Sequence, residues 1–259
     1  MSGESRLSLY SIQQYLSYFA LAAVAVAAWF FLFASEQAMQ SMRGDGIVME
    51  MMWAMMDHDA MVAYLMAASV MWIVMMVAMM IPAVLPMTMV YRGMHQGRHA
   101  TVETLLFASG YLAIWSLFAL LAAGLQWTLH ASGDLRGHLL EASPLAAAGI
   151  LVAAGVYQLT PFKEACLARC RSPMGFFLEH WQDGRYGAIA MGSRHGLYCL
   201  GCCWMLMLLM FVGGAMSVST MAVLSIFILA ERLLPAGPWV SRLPAAFMLG
   251  WGIILVLGL

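Results

Sequence analysis

The fold class this sequence predicts is all-α: a polytopic transmembrane helix bundle of about seven spanning helices. Three observations lead there. The chain of 259 residues is 63% hydrophobic and only 10% charged, against about 25% charged residues in soluble domains. Apolar runs recur at the length of about 20 residues that crosses a hydrocarbon core. Lysine and arginine fall almost entirely in alternate connections, as they do in chains oriented by positive charge on the cytoplasmic side.

The seven runs lie near residues 16–34, 60–81 (continuing to about 90), 103–129, 143–161, 196–214, 217–234 and 243–259. The first is too long for a signal-peptide core and only weakly preceded by positive charge, so it reads as an uncleaved first helix. The last is short and has no polar tail. With the N-terminus inside, the cytoplasmic segments carry Arg6, Arg92, Arg98, Lys163, Arg169, Arg171, Arg185, Arg194, Arg232 and Arg242, and the outer loops carry Arg43 and Arg136. Ten against two puts the N-terminus in and the C-terminus out.

One integral membrane domain then covers residues 1–259. Its outer loop 35–59 is acidic and Met-rich, with Glu36, Asp45, Glu50, Asp57, His58 and Asp59. Its cytoplasmic segment 162–195 is basic and is the longest connection between spans. Thr160-Pro161 suits an N-cap followed by the first helical position. A short helix is expected from there to Ser172-Pro173. The net charge of −1 says nothing about nucleic acid, but no long basic run exists to bind it, so it is not an expected partner.

Chemistry concentrates at residues 199–204, Cys-Leu-Gly-Cys-Cys-Trp. On a helix Cys199, Cys202 and Cys203 share a face, since positions three and four apart are neighbours. His195 lies one turn before them, and Met207 and Met210 lie further along. Thiolate, thioether and imidazole suit a soft ion such as Cu(I), or zinc. The spacing is not that of a standard zinc finger. Cys166 and Cys170, one turn apart, form a second pair, which Arg169 and Arg171 would hold as thiolates. All five cysteines fall on the reducing side, and their odd number argues against a disulfide framework.

Two further groups are candidates. Met75, Met76, Met79 and Met80 form a thioether stripe, with Asp57 and Met61 towards its outer end. Pro82 and Pro86 would bend that helix and free backbone carbonyls. Asp57, His58 and Asp59 lie on one outer loop and His130, Asp134 and His138 on the next, and such donors can hold divalent ions if the two loops meet. Each group also has an ordinary role: Cys and Met pack cores, and an acidic loop is solvated. His95, His99 and His180 read as interfacial or solvated. Glu103 and Glu231 lie near the cytoplasmic boundary, where Glu231 would pair with Arg232.

Several motifs together resemble a bacterial family of predicted metal-binding integral membrane proteins. They are Ala78-Met79-Met80-Ile81-Pro82 with Pro86; Tyr157-Gln158-Leu159-Thr160-Pro161-Phe162-Lys163 with Cys166 and Cys170-Arg171-Ser172-Pro173; and Gly196-Leu197-Tyr198-Cys199-Leu200-Gly201-Cys202-Cys203-Trp204, with Glu231. The resemblance covers most of residues 70–235 and implies metal binding.

The expected function is soft-metal handling, chiefly of copper, in a bacterial inner membrane. The protein would bind, traffic or transport Cu(I) through Cys166, Cys170, Cys199, Cys202 and Cys203. Its expected partners are the bilayer, the ion, and a membrane complex or a second copy. Two alternatives stand beside this. In one, a membrane metalloenzyme or oxidoreductase subunit holds its ion at Asp57, His58 and His130. In the other, the chain is a structural membrane subunit whose Met and Cys residues only pack. No nucleophile elbow, phosphate loop or HExxH motif is present.

Overall fold

The computed structural model describes residues 3–41, 47–94, 100–137, 139–234 and 239–257, with the backbone alone for 3–16 and 40–41. Arg43, Asp45, His95, Arg98, His99 and His138 lie outside the described residues. The fold is all-α apart from one two-stranded hairpin. Its helices are α1 (Gly3–Ser41), α2 (Ile47–Met56), α3 (Met61–Met94), α4 (Ala100–Ala131), α5 (Pro144–Gln158), α6 (Pro161–Arg171), α7 (Pro173–His180), α8 (Gly184–Leu208), α9 (Val218–Leu233) and α10 (Trp239–Leu257). The hairpin, β1 (Leu135–Arg136) with β2 (Glu141–Ala142), links α4 to α5.

Five of these helices, α1, α3, α4, α8 and α10, are long and apolar enough to cross a membrane, and α5 with α6 adds a sixth if that bent pair counts as one span. The segments expected near 143–161 and 217–234 form shorter helices of 15 and 16 residues. At 1.5 Å per residue these reach roughly 22–24 Å, less than a hydrocarbon core of about 30 Å. The segment 35–59 is mostly helical, because α1 runs on to Ser41 and α2 follows.

α4 packs between α3 and α8, α1 lies against α3, and α5 pairs with α10. The approach of α4 to α8 depends on missing side chains. A Cβ at Gly192 would stand 1.9 Å from the Phe107 carbonyl oxygen, and one at Gly110 would stand 2.4 Å from that of Ile189. Gly192 and Gly196 are four apart, the spacing by which small residues let helices touch. On the other flank of α8, a Cβ at Gly201 would lie 2.7 Å from the Cys166 sulfur.

The helix expected after Thr160-Pro161 is α6. Thr160 Oγ1 accepts the Lys163 N–H at 3.3 Å, Pro161 takes the first turn, and the helix ends at Arg171 before Ser172-Pro173. The axis bends by 65° between α5 and α6. That bend lays α6 back across α8.

α3 stays helical through Pro82 and Pro86. Proline has no N–H to donate one turn back, so Pro82 leaves the Ala78 carbonyl free. Trp29 Nε1 of α1 donates to that oxygen at 3.0 Å.

Gly192→Ala is expected to destabilise the protein by about 1–3 kcal/mol, because the new methyl meets backbone and forces α4 and α8 apart. Gly124→Ala, where nothing lies within 4 Å, is expected to be neutral or slightly stabilising. Thermal unfolding of the two variants in detergent checks the contrast.

Candidate metal centre

The closeness of α4 and α8 places a thiol cluster deep in the bundle. Cys199, Cys202 and Cys203 are at most 2% exposed. The Cys202 and Cys203 thiols point at the Cys199 carbonyl oxygen, 3.1 and 3.0 Å away. From α6, the Cys170 thiol meets that of Cys202, and the Cys166 sulfur lies over Gly201. The two cysteine groups separated in sequence therefore form one. All five cysteines are free and buried.

Two residues that the sequence reading missed complete the cluster. The Tyr111 hydroxyl of α4 lies 2.9 Å from Cys199 Sγ and 3.6 Å from Met80 Sδ, so it joins thiol to thioether. Arg232 of α9 brings Nη2 to 2.5 Å from Cys199 Sγ, 3.7 Å from Cys202 Sγ and 3.9 Å from Cys203 Sγ, while Nη1 donates to the Ala83 carbonyl at 3.2 Å. The three sulfurs thus share a cationic neighbour. Among the described residues, no three His, Cys, Asp or Glu side chains are placed so that they could hold one metal ion as they stand.

The arginines at the thiols are not those expected. Arg169 pairs with Glu179, and Arg171 Nε donates to the Glu231 carbonyl at 2.8 Å. Nor does Glu231 pair with Arg232. Consecutive helix residues point about 100° apart, so the two diverge. Glu231 takes Lys163 Nζ at 2.6 and 2.8 Å, Gln158 Nε2 at 3.1 Å and Ser241 Oγ at 3.2 Å. This network ties α5, α6, α9 and α10 together.

His195 has no polar partner. It is fully buried, and neither ring nitrogen has a hydrogen bond. Its ring lies among Phe107, Tyr111 and Phe176, with centroids 6.2, 5.5 and 5.5 Å away. A buried polar group left unpaired costs about 1–3 kcal/mol, and one turn later comes Cys199.

Met75, Met76, Met79 and Met80 are all inside, at most 1% exposed. Met61 and Asp57 do not extend that stripe inward. Met61 is 44% exposed, and the Asp57 carboxylate caps its own turn by accepting the Asp59 N–H at 3.1 Å. The two connections do meet: the His58 and His130 rings are 5.3 Å apart. Asp134 instead serves the hairpin, accepting from Ser132 and Ser143. A cleft of about 480 Å³, lined by Phe118, Leu121, Phe162, Leu197, Trp204 and Leu208 among others, opens on the apolar flank with no thiol in its wall.

A helical bundle whose interior gathers thiols, thioethers and an unpartnered imidazole has the donor set of proteins that handle soft metal ions. The model of the PpoB2 copper chaperone family matches residues 69–255, from the third turn of α3 into the end of α10, and the chain belongs to that family. The curated proteins and the solved structures give no match. The family names copper; zinc, which the donor types also allowed, has no support from it.

His195→Leu is expected to hold or raise thermal stability, since it removes two buried nitrogens without partners. The same variant is expected to bind Cu(I) at least about tenfold more weakly, as seen in competition with a chromogenic chelator. A stability loss with unchanged affinity would make the ring a packing residue.

Proposed function

We propose that this protein is a multi-pass chaperone of the bacterial inner membrane that binds Cu(I) inside its bundle and hands it on. Cys170, Cys199, Cys202 and Cys203 are its main sulfur donors, with Cys166 and His195 beside them. The observation that carries this reading is the convergence of Cys199, Cys202 and Cys203 on one half-buried cation, Arg232 Nη2. A cluster that holds a guanidinium can exchange it for a metal ion and keep its charge balanced. Soft sulfur donors select Cu(I) over harder ions.

Met75, Met76, Met79 and Met80 extend the sulfur surface, and the Tyr111 hydroxyl links Met80 to Cys199. Thioethers give up Cu(I) more readily than thiolates, so ions can move along α3 and rest at the cysteines. The charge bias of the connections supports a cytoplasmic position for the cysteine end.

Replacing Cys199, Cys202 and Cys203 together by Ser is expected to abolish tight Cu(I) binding by the purified full chain, because Ser keeps the size and is a harder donor. Helicity by circular dichroism should not change. Unaltered copper stoichiometry would sink the proposal. Changing Met75, Met76, Met79 and Met80 to Leu is expected to slow copper transfer from the loaded protein to a chelator, with no more than about 1.5 kcal/mol lost per site. Normal transfer in that variant would remove the thioether path and leave the thiol site standing.

A further inference from the structure

We infer that His58 and His130 form a second copper port at the end of the bundle where α3 begins and α4 stops. The inference rests on the reading of copper as cargo. It deepens that reading by naming where the ion is met away from the thiols. His130 lies roughly 28 Å further along α4 than Tyr111, at 1.5 Å per residue, so the two sites are nearly a hydrocarbon core apart.

Three observations build the port. The first is ring geometry: the centroids are 5.3 Å apart with planes inclined at 55°. An ion about 2.0–2.1 Å from an imidazole nitrogen lies roughly 3 Å from the ring centre, so rings sharing one ion sit within about 6 Å. The pair meets that limit with no movement of the backbone. The second is an orphan: His130 Nδ1 is sealed from solvent and has no hydrogen-bond partner. A buried nitrogen of that kind is a donor position waiting for a proton or a metal.

The third is bracing. Trp127 Nε1, almost one turn before His130, donates to the His58 carbonyl at 3.0 Å and fixes the connection onto α4. Beneath the pair the Tyr64 ring lies 5.6 Å from that of His130. Tyr64 is held in turn: Gln126 Nε2 donates to its hydroxyl at 3.2 Å, and Trp72 Nε1 donates to Gln126 Oε1 at 2.7 Å. All three of these residues are fully buried. The floor of the port is therefore rigid, while His58, with 44% of its side chain exposed, faces the surroundings. Asp59 Oδ1, 3.6 Å from His58 Nε2, adds negative charge at the mouth.

The chemistry follows from the donors. Two imidazoles bind copper more weakly than a nest of thiolates. An ion captured there is held loosely, and the thiols at the other end of the bundle bind it more tightly. His58 lies outside the span matched by the family and His130 inside it. The port thus joins a residue inside the matched span to one before it.

The test is anaerobic Cu(I) titration of the full chain in detergent, with X-ray absorption to separate nitrogen from sulfur scatterers. The variants are His58→Gln, the double change His58→Gln with His130→Gln, and the triple change of Cys199, Cys202 and Cys203 to Ser. The triple Ser protein is expected to keep a weaker copper with a nitrogen shell, and adding the double Gln change should remove it. His58→Gln alone, at a half-exposed position that cannot unfold the bundle, is expected to weaken this copper at least about tenfold. The double Gln protein with its cysteines intact should keep the sulfur shell and lose only the nitrogen-bound copper. Identical stoichiometry and nitrogen scattering with and without the histidines would overturn the port. Loss of sulfur scattering from the wild type would instead overturn the thiol reading alone.

Discussion

The rest of the structure depends on the contact between α4 and α8. No side chain larger than hydrogen fits at Gly192 or Gly110, and only backbone contact brings Tyr111 to Cys199. That contact turns one face of α8 into the floor of a site. Without it, His195 and the three thiols would line an ordinary helix interface. Small residues give association between helices in a medium where the hydrophobic effect does not. Here the same device fixes how far apart the reactive groups stand.

A second layer positions the charges. Burying Lys163 and Glu231 is costly unless both are satisfied, and breaking such a pair typically costs about 3–5 kcal/mol. Both are satisfied, and the Glu231 carboxylate gathers Gln158 and Ser241 as well. The clamp holds α6 against the end of α9, and α6 carries Cys166 and Cys170. The next residue along α9, Arg232, then points the other way, into the thiols. One turn of helix thus sets both the position of two cysteines and the charge that faces the other three.

Much of this was legible in the sequence, for reasons that differ by residue. The shared face of Cys199, Cys202 and Cys203 follows from helical period alone. The start and stop of α6 follow from Thr160-Pro161 and Ser172-Pro173, because capping is local chemistry. The inward placement of Met75, Met76, Met79 and Met80 could be expected from the prolines after them. What was not legible depends on contacts distant in sequence. Nothing local says that Arg232 rather than Arg169 or Arg171 reaches the thiols, or that Lys163 rather than Arg232 takes Glu231. The signal was present in the divergence of adjacent helix positions, but choosing between them needs the packing of α6 on α9. The role of Tyr111 was hidden for the same reason. Span counting was less secure because α5 and α9 are too short to declare themselves by length.

The hydrogen bond from Trp29 to the Ala78 carbonyl ties the first helix to the interior of α3. Pro82 strips that oxygen of its usual helical donor, and the replacement comes from α1, a segment that lies before the stretch matched by the family. The N-terminal helix is therefore a prosthesis for the core, supplying the amide proton that the proline withholds. A homologue that retains the proline and lacks an indole at this place must quench the oxygen some other way, with a hydroxyl from a neighbouring helix or a lodged water.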